Sequence, residues 1–176
     1  MLNERFLYRA KHKTNAVWEF GSLVILPNGD YEIANKCANP PDSDPMWEKC
    51  VITHMVDPST ICQCTGLHDS TRWEELTCEE QRQFLLEWNF KKNRRNAKED
   101  WTGRRVFEKD IVSLVFDGKS YVYQVVWDES ELDYKATNGE ENYKNNFQYL
   151  LCCEDIKVLG NGFDNPELVE LLEEEV

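Results

Sequence analysis

Two dipeptides constrain this chain more than anything else in it: Asn28-Gly29 and Asp117-Gly118, each set between runs of β-branched and aromatic residues. A two-residue hairpin turn needs positive φ at its centre, which Asn, Asp and Gly tolerate and other residues resist. Each therefore marks a point where the chain doubles back on itself as antiparallel strands. The flanking runs are Val17 to Leu26 with Tyr31-Glu-Ile33, and Ile111–Phe116 with Tyr121–Trp127. Gly21 interrupts the first run, a place for a bulge or for close packing. Phe6–Ala10, Val51–Met55, Arg104–Phe107, Phe147–Cys152 and Ile156–Leu159 read as further strands. Asp57-Pro58-Ser59-Thr60 reads as a turn, Asn138-Gly139 as a turn within the acidic stretch 128–142, and the proline-rich residues 36–49 as an exposed loop.

Helical periodicity occurs twice. Thr77-Cys-Glu-Glu80 is a capping box, the Thr hydroxyl serving the Glu80 amide and the Glu80 carboxylate reaching back. Cys78, Phe84, Leu85 and Trp88 then make a narrow apolar stripe, which predicts a helix from about Cys78 to Phe90. Its continuation, Lys91-Lys-Asn-Arg-Arg95, is basic and suits a helix C-terminus through the macrodipole. The chain closes on a second helix, with Asp164 or Asn165 as cap, Pro166 in its first position and Leu168, Leu171 and Leu172 on one face. Six to nine short strands and two helices predict a mostly-β (α+β) protein: a small curved antiparallel sheet or barrel-like domain.

At 176 residues the chain fits one domain with a real core, and 41% hydrophobic content with 12% aromatics argues for a folded globular protein, not a disordered one. No window approaches the apolar length of a membrane helix, and the charged N-terminus Met1–Ala10 is no secretory signal. The expectation is a soluble, intracellular protein. The net charge of −13 is uneven: residues 128–176 carry 14 acids against 3 lysines, a net of −11 that leaves −2 for the rest. Such an end repels nucleic acid and anionic membrane, and reads as a solvated tail and loop or a surface for a basic partner. The seven cysteines include no pair at zinc-ligand spacing, and His12, His54 and His68 are scattered. Reduced thiols are the reading, with no metal or cofactor expected.

Three segments in order carry a resemblance. Val56-Asp-Pro-Ser-Thr-Ile-Cys-Gln-Cys-Thr-Gly-Leu-His-Asp69, Gly103-Arg-Arg-Val-Phe-Glu-Lys-Asp-Ile-Val112 and Ile156-Lys-Val-Leu-Gly-Asn-Gly-Phe-Asp-Asn-Pro-Glu-Leu168 resemble the YopX family of small phage and prophage proteins. The opening Arg5-Phe-Leu-Tyr-Arg-Ala10 is similar as well, so residues 1–176 read as a single YopX-like domain. In that family's pattern the Gly-Leu-x-Asp element is followed almost at once by the next glycine. Here 33 residues separate Asp69 from Gly103, so 70–101 reads as a helix-bearing insertion into a hairpin. Lys109 also stands where the family usually has Gly; if that position needs positive φ, Lys costs about 1 kcal/mol there. The resemblance implies a mobile-element protein in the cytoplasm of a bacterial host, mostly β, with no catalytic residues or ligand to carry over.

The motif residues themselves read as turn chemistry: Gly66 and Gly103 for backbone freedom, Asp69 and Asp110 as caps, Asn165-Pro166 as a helix start. Were Asp69 and Asp110 to converge, two carboxylates could hold a metal or move a proton, but Asp in turns is ordinary. A nucleophilic Cys62 or Cys64 would need a base that nothing singles out, so no enzymatic activity is expected. Eight basic residues lie between Arg82 and Arg105, with Trp88, Phe90 and Trp101 among them. The leading expectation is a non-enzymatic, protein-binding accessory module, self-association included, that uses the inserted helix. Trp88, Lys91, Lys92, Arg94, Arg95, Trp101 and Arg104 are its candidate contacts. The alternative is a nucleic-acid-binding protein using 82–105 for phosphate attraction and base stacking.

Overall fold

The structure, a computed structural model, describes residues 6–36, 51–89, 98–139 and 147–174. It divides into two compact units, residues 6–61 with Thr71–Gly103 and Cys62–Ser70 with 104–174. The expected loop beyond residue 36 and the basic stretch Lys91–Arg95 lie outside the described residues.

In the amino-terminal unit β1 (Tyr8–Lys11), β2 (Trp18–Ile25), β3 (Tyr31–Lys36) and β4 (Val51–Met55) pair antiparallel in succession. The β2–β3 connection falls at Asn28-Gly29 as expected, but it is longer than a two-residue turn: Gly29 alone takes positive φ (+87°), its N–H donates to Leu26 O, and the Leu26 N–H donates to Asp30 O, both at 2.9 Å. The sheet curls until its ends meet. His12, just past β1, bridges to Val56, just past β4. The Lys13 N–H donates to Met55 O and the Asp57 N–H to Lys11 O, both at 2.9 Å. Register then assigns faces. Ala10 lies opposite Glu19, Leu23 opposite Ile33, and Ile33 opposite His54. Ala10, Ile33 and Val56 form the buried centre, packed by Tyr8, Leu23, Tyr31 and Ile61. Gly21 is a close-packing glycine: a Cβ there would stand 2.2 Å from Ala34 O. The Asp57–Thr60 turn closes as expected, with Asp57 Oδ1 accepting from the Ser59 amide at 2.9 Å. Thr60 Oγ1 accepts from the Lys11 N–H at 2.8 Å. The unit also holds α1 (Cys78–Asn89).

The carboxy-terminal unit contains β5 (Cys62–His68), β6 (Arg105–Phe107), β7 (Asp110–Phe116), β8 (Lys119–Asp128), β9 (Asp133–Thr137), β10 (Phe147–Tyr149), β11 (Asp155–Asn161) and α2 (Pro166–Glu174). Strands β10-β9-β8-β7-β11 make one antiparallel sheet in that order, and β5 pairs with β6. Val112 and Leu114 on β7 lie opposite Tyr123 and Tyr121 on β8, and opposite Val158 and Ile156 on β11. These residues share one face and build the core with Val106, Val125, Tyr134, Ala136 and Leu150. The Asp117-Gly118 turn has φ of 48° and 69°, the all-positive geometry of a two-residue hairpin. Where Gly160 ends the β11 bulge, a Cβ would stand 2.3 Å from Asn165 Oδ1, so glycine is what lets α2 begin there.

The mostly-β expectation holds, with more strands than expected. β9 lies inside the acidic stretch read as a loop: Tyr134 and Ala136 are buried while Asp133 and Lys135 alternate with them on the other face, and those charges mask the alternation. The strand expected over Phe147–Cys152 stops at Tyr149, and Leu150–Cys152 form a single 3-10 turn that buries Leu150.

Lys109 carries φ +63°, the left-handed conformation its glycine-like place demands. The strain is held by its N–H, which donates to Val125 O at 2.8 Å, and by its ammonium 5.2 Å from the Phe163 ring centroid. Lys109→Gly relieves about 1 kcal/mol of backbone strain and loses a cation–π contact of about 0.5 kcal/mol. The variant should therefore unfold at slightly higher denaturant with unchanged slope. At the β8–β9 turn, Asp128 accepts from the Ser130 hydroxyl at 2.7 Å and pairs with the Lys135 ammonium at 3.0 Å. The Ser130 and Lys135 bonds hold its carboxyl down at about 2. A depressed acid contributes above its unfolded pKa and loses that contribution as pH falls through the folded value. The turn should therefore keep its clamp down to about pH 4 and lose it between there and about 2. An NMR titration of the Asp128 carboxyl reads this directly, and Ser130→Ala should move its midpoint upward.

Candidate functional site

The Gly66-to-Asp69 and Gly103-to-Asp110 elements run side by side along the β5–β6 pair, with Asp69 beside Arg104 at one end and Asp110 beyond Phe107 at the other. His68 lies opposite Arg105 and Cys64 opposite Phe107, with an irregular register between them where Gly66 takes φ +82°. Beyond the last pair the Asp69 N–H donates to Arg104 O at 2.8 Å. The Asp69 carboxylate is fully buried: Oδ1 accepts from the Arg104 N–H at 2.7 Å and Oδ2 from the Val158 N–H at 3.0 Å. It thus joins β5, β6 and β11. Arg104 Nη1 lies 4.0 Å from Asp69 Oδ2 and 3.5 Å from Val158 O, so this candidate contact is engaged within its own unit. Ser70 donates both its N–H and its hydroxyl to Ile156 O. Asp110, also buried, accepts the Phe107 N–H at 2.8 Å and shapes the tight turn before β7. Gly103 has φ +110°. Asn165 precedes Pro166, the first residue of α2, and its Oδ1 accepts from the Asn161 N–H. Asn161 does more at that junction than sequence reading noticed, since its Oδ1 caps the amides of both Phe163 and Asp164.

Between Ser70 and Arg104 the chain makes an excursion. Its 3-10 turn Trp73–Glu75 leads into α1, whose start is the capping box as read: the Thr77 N–H donates to Glu80 Oε2 at 2.8 Å, and the Glu80 N–H to Thr77 Oγ1 at 3.2 Å. Trp73, Phe84 and Trp101 meet edge to face, with centroids 5.0 to 6.0 Å apart. The Trp101 indole N–H donates to Thr71 O at 2.8 Å, and Glu74 pairs with Lys98. Trp101 therefore secures the excursion, and its ring faces other rings. Phe84 belongs to that cluster, and Leu85 stands 37% exposed beside it. The Trp88 side chain, Lys91, Lys92, Arg94 and Arg95 lie outside the described residues.

Sequence reading missed one constellation. The histidines it took as scattered are not: the His12 and His54 rings stand edge to face, centroids 5.8 Å apart. His54 Nδ1 lies 3.5 Å from Glu19 Oε1. The curl that bridges His12 to Val56 brings them together, and no spacing rule along the chain records a curl. Among the thiols, Cys62 and Cys64 are buried on β5, while burial pushes Cys153 up to about 11 and keeps it protonated at neutral pH.

The family model described as YopX protein matches residues 98–170. Over that stretch the chain is similar to the YopX family. The match takes in β6 to β11, the Lys109 turn and the start of α2; the elements at Arg5–Ala10 and Val56–Asp69 precede it. A search of curated proteins finds no match. Within the matched stretch the Gly103, Asp110 and Asn165-Pro166 positions are backbone-shaping groups. Asp69, upstream of it, accepts two N–H groups from within it. Asp69→Ala strands both, each costing about 1–3 kcal/mol. Thermal or urea unfolding should show a loss of roughly 2–5 kcal/mol, and Asp69→Asn, which keeps one acceptor, a smaller one.

Proposed function

We propose that this chain is a non-enzymatic accessory protein of phage or prophage origin that binds a protein partner through the excursion between Ser70 and Arg104. One observation carries the reading: the excursion secures itself and leaves a helix face outward. The Trp73–Phe84–Trp101 cluster, the Trp101–Thr71 bond and the Glu74–Lys98 pair hold it together. On α1, Glu79 and Arg82 are more than two-thirds exposed, and Leu85 is an apolar group beside them. A surface element fixed by its own packing can gain contacts without disturbing a core elsewhere. The basic run Lys91–Arg95 follows that face in sequence and suits an acidic partner surface. Asp69 and Asp110 spend their carboxylates on backbone amides, which supports a role without catalysis.

The nucleic-acid reading keeps the same basic run but loses Trp101 as a stacking platform, since that ring is packed against Trp73 and Phe84. Among the described residues no helix is long and apolar enough to cross a membrane.

The full chain, immobilised and challenged with bacterial lysate, should retain a protein that the charge-reversed Arg94→Glu/Arg95→Glu variant releases. Self-association through the same run would appear in light scattering as a dimer that the variant abolishes. Gel shift with single-stranded DNA at about 50 and 200 mM salt should show no salt-sensitive complex. A complex lost between those salts replaces the protein-binding reading, and retention unaffected by the charge reversal removes the excursion from it.

A further inference from the structure

We propose that His12, Glu19 and His54 form a binding site for a single divalent transition-metal ion at the mouth of the curled amino-terminal sheet, open to a further ligand. One donor atom from each of the three lies within 4.8 Å of the others. The convergence is fixed by strand register. Glu19 sits opposite Ala10, and His54 opposite Ile33, so both share the inward face that those two core residues define. His12 lies two residues beyond Ala10 and bridges to Val56, the third core residue of that face. Side chains alternate strictly along a strand, so the three groups come from three strand ends to the same side of one sheet.

The donor geometry is close to what an ion requires. With ligand distances of about 2.0–2.1 Å, donors around a tetrahedral zinc ion stand about 3.4 Å apart. His54 Nδ1 and Glu19 Oε1 are already 3.5 Å apart. His12 completes the set by a small ring movement, its ring edge already turned to His54. The site is half-enclosed, with the His54 and Glu19 side chains 29% and 18% exposed, so an ion can enter and an outside donor can reach it. The Thr14 N–H donates to His12 Nδ1 at 3.2 Å and the Thr14 hydroxyl lies 3.0 Å from the same atom, which fixes the ring's orientation.

Two imidazoles and one carboxylate select ions of the zinc, cobalt, nickel and ferrous class over magnesium and calcium, which prefer all-oxygen shells. Three protein ligands leave at least one coordination position for water or for an anionic group of a bound molecule. Because the donors come from β2, β4 and the residue just past β1, the ion would also tie shut the bridge that closes the sheet.

The test uses the full chain, reduced and stripped with a chelator, then titrated with Zn2+ against a chromophoric competitor and with Co2+ by absorption. The expected result is one ion per chain and visible cobalt bands without the near-ultraviolet thiolate band. Glu19→Gln and His54→Ala should each lower affinity by at least roughly tenfold, no less than losing a supporting outer-shell group costs. Zinc should also raise the wild-type melting temperature and leave that of the His12→Ala/His54→Ala variant unmoved. Equal binding by wild type and double variant, or a thiolate band that places cysteines on the ion, overturns the proposal. Should the variants fail to fold, histidine ring resonances of the wild type decide: zinc must shift His12 and His54 and leave His68 in place, and any other pattern overturns it.

Discussion

The buried carboxylate of Asp69 is the contact on which the carboxy-terminal unit turns. A charge with no exposed surface is costly unless it is satisfied, and this one is satisfied by two backbone N–H groups from strands that do not otherwise pair. Arg104 belongs to the approach to β6, and Val158 to β11, the edge strand on the other side of β7 from β8. One side chain therefore sets the distance between the β5–β6 hairpin and the five-stranded sheet. Apolar packing by Leu67, Val106 and Val158 fills the space so defined, but packing alone tolerates sliding and a doubly bonded carboxylate does not. Ser70 repeats the arrangement one residue later on Ile156.

That rigidity explains why the chain can leave at Ser70 and return at Arg104 after a long excursion. The hairpin end is held by Asp69 and not by a tight turn, so the length of chain between Ser70 and Arg104 matters little to it. Closing a longer loop costs only slowly more entropy, about 0.6 kcal/mol per doubling. The excursion recovers part of that by its own contacts: three aromatic rings in mutual edge-to-face packing, an indole N–H bonded at its base, and a reciprocal cap on α1. Substitutions at the exposed α1 positions Glu79 and Arg82 disturb neither the rings nor Asp69.

What the sequence made legible was whatever is local. Hairpins at Asn28-Gly29 and Asp117-Gly118, the Thr77–Glu80 box and Pro166 at a helix start are decided by residues within four positions of one another. The positive φ of Lys109 was legible too, as a conflict between residue type and a position that wants glycine. β9 was hidden because Asp133 and Lys135 are charged on the other face, so composition outweighed the period-2 burial of Tyr134 and Ala136. The role of Asp69 was half legible: its sequence says turn cap, while its second bond reaches Val158, 89 residues away. Gly160 and Asn161 read as part of a closing motif, but their reason, room for Asn165 and caps for the next turn, is a tertiary one.

His12, Glu19 and His54 lie wholly on the illegible side, and the reason is instructive. Metal-ligand spacing rules work when one turn or one helix presents two donors, so that the spacing itself is the geometry. Here Glu19 and His54 sit on different strands and His12 just past a third, and three conditions bring them together: the β1–β2 register, the β3–β4 register, and the curl that bridges His12 to Val56. Shifting any one strand by a single residue would turn its donor to the opposite face. An ion held by all three would therefore favour only the chain in its native register, and binding energy that the unfolded chain cannot collect becomes folding energy. Closure of this small sheet rests on three buried aliphatic residues, Ala10, Ile33 and Val56. A core that slight has little to spare, and an ion at its mouth would strengthen it where the ring of strands is joined by a single bridge.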